Sequence, residues 1–128
     1  MSKYSFPKEE KLKSSKAISY IFREGQNVFS YPLKFIFIIT EQPEVSNPKI
    51  AVSVSGKNFR KATERNLIKR RLRESYRLNK PFIAQTCIHS NLQLTGMFIF
   101  VGKEILSYNE ITKGMLGVFS KLKKQFSQ

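Results

Sequence analysis

Tryptophan and aspartate are absent from the 128 residues, and histidine and cysteine occur once each, as His89 and Cys87. A lone cysteine cannot close an internal disulfide, which argues against a cross-linked secreted scaffold and fits a reducing cytosol. One histidine and one cysteine two residues apart make neither a Ser-His-Asp nor a Cys-His arrangement. His89 therefore reads as a surface or structural residue. A four-coordinate zinc site draws on several Cys and His side chains, so none is expected. There is no Walker phosphate loop and no dinucleotide-binding glycine pattern. The nine acidic residues are glutamates scattered along the chain. The adjacent pair Glu9 and Glu10 sits in the opening segment and reads as solvated rather than as a general acid-base pair. No apolar run exceeds residues 35–39, far below the ~20 residues of a membrane helix. The first sixteen residues also lack the apolar run of a signal peptide. What is missing thus excludes a protein active site of the familiar kinds and a membrane-spanning helix.

What is present is positive charge. Lys and Arg number 23 against nine Glu, a net charge of +14. Such a surplus repels itself in a compact fold, so a polyanionic partner is its natural counterpart. Nucleic acid leads, an anionic membrane surface is second, and a solvated basic surface is the plain alternative. A hydrophobic fraction of 41% is that of a folded protein, and the length suits one domain with one modest core.

The chain reads as a single domain, 1–128, with a basic and partly extended leader over 1–13. Ser14 or Ser15 caps a short helix whose Ile18, Ile21 and Phe22 recur at helical spacing, with Gly25 as its stop. Residues 28–40 read as strand, interrupted near Pro32. Residues 42–48 carry two prolines and read as a loop between hairpin strands. Residues 49–55 alternate as a half-buried strand. A long helix is expected over about 60–79, then a short helix and a loop over 81–94. Residues 96–101 form a near-continuous apolar run that suggests a central strand. Ser107 and Glu110 match a capping box. The helix after it sets Ile111, Met115, Val118, Phe119, Leu122 and Phe126 on one face, with Gly114 and Gly117 allowing close packing. One sheet with helices packed on it would bury these faces, an α+β arrangement. The strands flanking the long helix are placed to pair in parallel.

The long helix carries the functional signal. With Arg65 at zero and about 100° per residue, Ile68, Leu72, Ser75 and Tyr76 share a buried arc. Asn66, Lys69, Arg70, Arg73 and Arg77 form a ridge beside it, at about 40° to 140°. Arg65 lies on the border, and Arg60 and Lys61 extend the basic character to the helix start. The ridge has few carboxylate neighbours, which favours nucleic-acid contact over a face laced with ion pairs. A strand and a Gly-Lys-Asn loop precede this helix where a helix-turn-helix reader needs a companion helix, so structured RNA is favoured over the DNA major groove.

The run from Ala62 to Arg77, ATERNLIKRRLRESYR, resembles the signature of the bacterial ribonuclease P protein subunit. The flanks agree in order. Phe6 and Lys11-Leu12 precede a helix ending in Phe22-Arg-Glu-Gly25. Ala51-Val-Ser53-Val-Ser-Gly56-Lys57 precedes the signature, and Gly96-Met-Phe-Ile-Phe-Val with Ser107-Tyr108-Asn-Glu110 follows it. The resemblance implies a single-domain α/β sandwich of the ribosomal protein S5 domain 2 type, with a left-handed β-α-β crossover. It implies a role as the accessory subunit of ribonuclease P. There a catalytic RNA subunit removes the 5′ leader of precursor tRNA with Mg²⁺ held mainly by RNA, and the protein supplies no catalytic residue and no metal ligand. The implied partners are that RNA and precursor tRNA in the cytoplasm, with no membrane and no obligate protein partner.

Carried over position by position, Arg65, Asn66, Lys69, Arg70, Arg73 and Arg77 meet the RNA, and Arg60 and Lys61 at the helix start are expected to join them. Ile18, Phe22, Lys34 and Ile36 line the leader cleft, although apolar spacing alone gives Ile18 and Phe22 a plain core role with equal force. The chain departs from the family pattern at Leu67, where arginine is usual, and at Glu64, whose charge opposes phosphate. Ile18 also stands where an aromatic residue is frequent.

Overall fold

The computed structural model describes residues 4–126, so residues 1–3 of the leader lie outside the described residues. After a single 3-10 turn at Lys8–Glu10 come α1 (Ser15–Glu24), β1 (Gln26–Ser30), β2 (Leu33–Glu41), β3 (Lys49–Val54), α2 (Ala62–His89), β4 (Leu92–Phe100) and α3 (Tyr108–Phe126). The strands form one mixed sheet in the order β1-β2-β4-β3. Only β3 and β4 pair in parallel, joined through α2, and the other neighbours are antiparallel.

Strand alternation decides what each face of the sheet buries. Leu33, Phe35 and Phe37 of β2, Leu94, Phe98 and Phe100 of β4, and Ile50 and Val54 of β3 fall on one face under α2 and α3. Phe35 and Phe98 are register partners, with rings 4.4 Å apart. α2 contributes Ile68, Leu72, Tyr76, Ile83 and Cys87 to this core. α3 contributes the six apolar residues expected of it. The opposite face holds Ile36 and Met97, again register partners, and α1 packs there through Ile21. The result is three layers, α2/α3, sheet, α1.

Local signals are largely realised. Ser14 accepts from Ala17 N at 3.2 Å and caps α1, and the Ser107–Glu110 box is closed from both sides at 3.1 and 3.2 Å. A Cβ on Gly114 would sit 2.7 Å from Pro32 Cδ, and one on Gly117 would collide with Ser30. These two glycines therefore let α3 lie directly on the β1–β2 turn, as their spacing suggested.

The interruption expected near Pro32 is realised as a hairpin at Tyr31-Pro32 between β1 and β2. Three expectations are corrected. Residues 42–48 do not close a hairpin, because β4 lies between β2 and β3. β4 buries side chains on both faces, so it takes the central place, and local turn chemistry does not encode that long-range insertion. α2 does not stop at Asn79 but runs on through Pro81 to His89. A mid-helix proline costs about 3 kcal/mol. Burial of Ile83 and Cys87, about 1.5–3 kcal/mol for a large aliphatic side chain, offsets it. Glu10 is not solvated. Its carboxylate is buried and takes the Lys80 ammonium at 2.9 Å, while Glu9 remains exposed.

Two predictions arise from the α2 core. Cys87 is fully buried, and that burial pushes its thiol up to about 12, so the reactive thiolate is not populated near neutral pH. The native protein is expected to resist a thiol-specific disulfide reagent at pH 8 and to titrate one thiol in guanidinium. Rapid native labelling would contradict this burial. Tyr76 is also fully buried, and its hydroxyl meets no hydrogen-bond partner among the described residues. Burial raises its pKa well above the usual phenol value, with the Glu10 charge adding to it, so the ring stays neutral near pH 7. Tyr76→Phe keeps the ring contact with Phe6 at 5.1 Å and is expected to stabilise the fold by about 1 kcal/mol, read as a higher urea midpoint. A clear loss of stability would show that the hydroxyl is paired.

Candidate nucleic-acid interface

The N-terminal half of α2 lies along one flank of the molecule with its apolar arc locked into the core. Ile68, Leu72, Ser75 and Tyr76 are buried, as the helical arc predicted. Asn66, Arg70 and Arg73 are exposed on the outer side. With Arg77, Glu74, Phe6 and Lys11 they line a hollow of about 410 Å³.

The basic residues of this helix are not equivalent. Arg65 Nη1 donates to the carbonyls of Phe59 and Arg60, both at 2.8 Å, so it shapes the loop that delivers the chain into α2. Arg71 Nη1 donates to Leu106 O at 2.6 Å and ties α2 to the segment before α3. Arg77 is engaged too. Its guanidinium donates to both Glu74 oxygens, at 2.5 and 3.3 Å, and to Tyr4 O at 3.2 Å. The Arg77 hydrogen bond, with its charge, holds the Glu74 carboxyl below its usual range. Glu74, the carboxylate that flanks the ridge, lines the hollow and occupies one of its cations. Arg70 and Arg73 remain as exposed guanidinium groups, with Asn66 exposed one to two turns before them on the same helix. Lys69 is half-buried and lies outside the hollow, while Arg60 and Lys61 are exposed at the helix start.

A second hollow of about 400 Å³ opens on the other face of the sheet. α1 covers β2 and β4 but leaves β3 open, so the cleft floor is built from Ala51 and Ser53 of β3 and Met97 of β4. Ile18 and Phe22 form the α1 wall, and Phe22 is 55% exposed. Two expected cleft residues are displaced. Ile36 is only 5% exposed on the face that α1 covers, and Lys34 projects into solvent from β2; neither lines the cleft. The small side chains of Ala51 and Ser53, alternating with the buried Ile50 and Val54, were the sequence signal for this floor.

The two hollows adjoin. Phe6, Lys11 and Arg73 line both. The segment that links them is the supposed leader of the sequence. It crosses the β3 edge, where Leu12 N donates to Ile50 O at 2.9 Å. Phe6 packs on Tyr76, and Lys11 Nζ sits 5.4 Å from the Phe6 ring centroid. Sequence reasoning placed Phe6 and Lys11 only within the family resemblance and missed their part in the surface. Their signal was the alternation of aromatic and lysine residues in an otherwise polar segment. Among the described residues no three His, Cys, Asp or Glu side chains group as a metal site. No helix of the described residues is long and apolar enough to cross a membrane.

An exposed aromatic wall over a sheet, continuous with a row of guanidinium groups on a helix, defines a small basic RNA-binding protein. A model of the ribonuclease P family matches residues 6–123. The chain belongs to the ribonuclease P protein family, whose role is the processing of tRNA 5′ leaders. The ribonuclease P protein component of Porphyromonas gingivalis is 30% identical over 112 residues, which span 88% of this chain and 82% of that one. That of Dictyoglomus thermophilum is 40% identical over 85 residues, 66% of this chain and 68% of its own. A Staphylococcus aureus RNase P protein mutant with defective mRNA degradation activity shares the fold, with a TM-score of 0.70 at 22% identity, covering 91% of this chain and 90% of that chain. So does the RNase P protein from Thermotoga maritima in complex with 1-(4-fluorophenyl)-2-thiourea, with a TM-score of 0.66 at 22% identity over 86% and 97% of the two chains.

Proposed function

We propose that the chain is the accessory subunit of a ribonuclease P holoenzyme whose RNA subunit is the catalyst. The α2 flank docks on that RNA through Asn66, Arg70 and Arg73, with Arg60, Lys61 and Lys69 adding charge around it. Arg65 and Arg77 support the dock by fixing the loop and the N-terminal segment. The cleft of Ile18, Phe22, Ala51, Ser53 and Met97 takes the 5′ leader of precursor tRNA. One observation carries this reading, namely that an apolar cleft and a cationic helix flank share Phe6, Lys11 and Arg73. Adjoining hollows let one small protein hold two RNA strands side by side.

The physical contribution is electrostatic and positional. Two RNA polyanions brought together repel, and a +14 protein between them lowers that repulsion. The aromatic face of Phe22 accepts any base, which suits leaders of unrelated sequence. Mg²⁺ supplies the hydrolytic chemistry at the scissile phosphate and is held mainly by RNA. The protein's part is to place the leader. This reading puts the chain in the bacterial cytoplasm with its precursor substrates.

Salt dependence tests it. Each neutralised phosphate releases counterions, so affinity for the catalytic RNA is expected to fall by roughly two orders of magnitude or more between about 50 and 200 mM salt. An affinity flat across that range would overturn the reading.

A further inference from the structure

The N-terminal segment crosses the β3 edge with little regular hydrogen bonding, a single bridge between Lys11 and Ile50. Something else must fix its path. Lys80 is 2% exposed and its ammonium donates to Glu10 Oε1 at 2.9 Å and to the carbonyl of Ser5. The other carboxylate oxygen of Glu10 accepts from Asn47 Nδ2 at 3.2 Å. A buried ion pair is a poor way to gain stability, because desolvating both charges offsets their attraction and an apolar pair of like volume does as well or better. It is a good way to fix register, since a buried charge tolerates only the position where its partner lies. Here it ties residues from the N-terminal segment, the β2–β3 loop and α2 to one point.

Resting on the reading that the cleft takes the leader, we propose that Glu10 and Lys80 are positioning residues for precursor recognition. They hold the segment so that Phe6 and Lys11 stand between the leader cleft and the α2 flank, as the shared wall that guides the leader across. Neither Glu10 nor Lys80 lines either hollow, so their effect on RNA is indirect. Breaking the pair frees the wall while leaving Phe22, Arg70 and Arg73 in place.

The experiment uses the reconstituted holoenzyme and two precursor tRNAs, one with a long single-stranded leader and one with a single-nucleotide leader. Lys80→Met is expected to weaken binding of the long-leader precursor about 10-fold, the size of one lost stacking contact. Binding of the single-nucleotide precursor and the cleavage rate at saturation stay at the wild-type level. Lys80→Arg, which keeps the ion pair, restores the long-leader affinity. Should Lys80→Met fail to fold, Glu10→Met with Lys80→Met removes both charges at similar volume and is expected to show the same leader-specific loss. Equal losses on both substrates, or no loss on either, overturn the proposal. The wild-type protein separates this failure from failure of the leader reading. If wild type does not distinguish the two substrates, the leader reading falls and takes this proposal with it. If wild type distinguishes them and the variants behave like wild type, only the positioning role falls.

Discussion

Replacing Arg70 and Arg73 together with alanine is expected to weaken binding to the catalytic RNA by about 100-fold or more. Both guanidinium groups are exposed and neither has an ion-pair partner among the described residues, so their fork of donors is open to phosphate. A hydrogen bond to a charged group contributes about 1.5–3 kcal/mol, which is roughly tenfold to a hundredfold in affinity for each side chain. The loss belongs to binding rather than folding, because neither residue enters the core. Unfolding free energy should therefore change only by the amount of ordinary surface substitutions, about 0.5 kcal/mol each. Losing two phosphate contacts should also flatten the salt dependence, lowering its slope by roughly 1.5. An anisotropy titration at several salt concentrations reads both effects. Unchanged affinity and slope would remove α2 from the interface. Arg65→Ala behaves differently, because Arg65 binds the carbonyls of Phe59 and Arg60; its loss should disturb the loop before α2 as well as the RNA.

The second large effect is expected at Phe22. An aromatic ring 55% exposed on the wall of an apolar cleft gains little from the core, so Phe22→Ala should leave stability nearly unchanged. Base stacking on an aromatic side chain is worth about 1–3 kcal/mol, so affinity for precursor tRNA should fall by about 10- to 100-fold. Affinity for mature tRNA, which has no leader, should not change, and Phe22→Tyr should keep the wild-type preference. Ile18→Ala is expected to act more weakly on the same contrast, because an aliphatic side chain offers contact area without a π-face. Equal loss for precursor and mature tRNA would show that Phe22 acts on the fold or on the tRNA body.

These two sites differ in how far the sequence revealed them. The arc of Ile68, Leu72, Ser75 and Tyr76 was legible because a helix bound to a core repeats its apolar side chains every 3.6 residues. The polar side of the same helix was legible only as a set of cations. Which of them are free depends on groups far away in sequence, such as the Tyr4 carbonyl on Arg77 and the Leu106 carbonyl on Arg71. Glu74 sits three residues from Arg77, a spacing that was available to the eye, and its pairing turns part of the expected ridge into a clamp.

Strand order was legible only in part, since the central place of residues 96–101 and their parallel pairing with the strand before α2 were expected and are realised. The periodicities of β2, β3 and β4 show that each is half or fully buried, but not that β4 enters between the other two. That placement moved the cleft floor from Lys34 and Ile36 to Ala51, Ser53 and Met97. The continuation of α2 past Pro81 was hidden because proline is locally a stop signal, while Ile83, Ala84 and Cys87 bind the core strongly enough to override it. Glu10 was misread for the reason that makes it informative. A lone glutamate in a polar segment reads as solvated until its partner Lys80, 70 residues on, is brought against it. Leu67 is half-buried and outside both hollows, so the missing arginine at that position falls away from the two surfaces assigned to RNA.

The central claim is that this protein assists an RNA catalyst by holding it and the precursor leader together. Leader removal assayed at low Mg²⁺ with protein alone, catalytic RNA alone, and both together tests it most directly. The account predicts no cleavage by the protein alone, slow or absent cleavage by the RNA alone, and rapid release of the 5′ leader when both are present. Cleavage by the protein alone, or an RNA rate that the protein leaves unchanged, would contradict it.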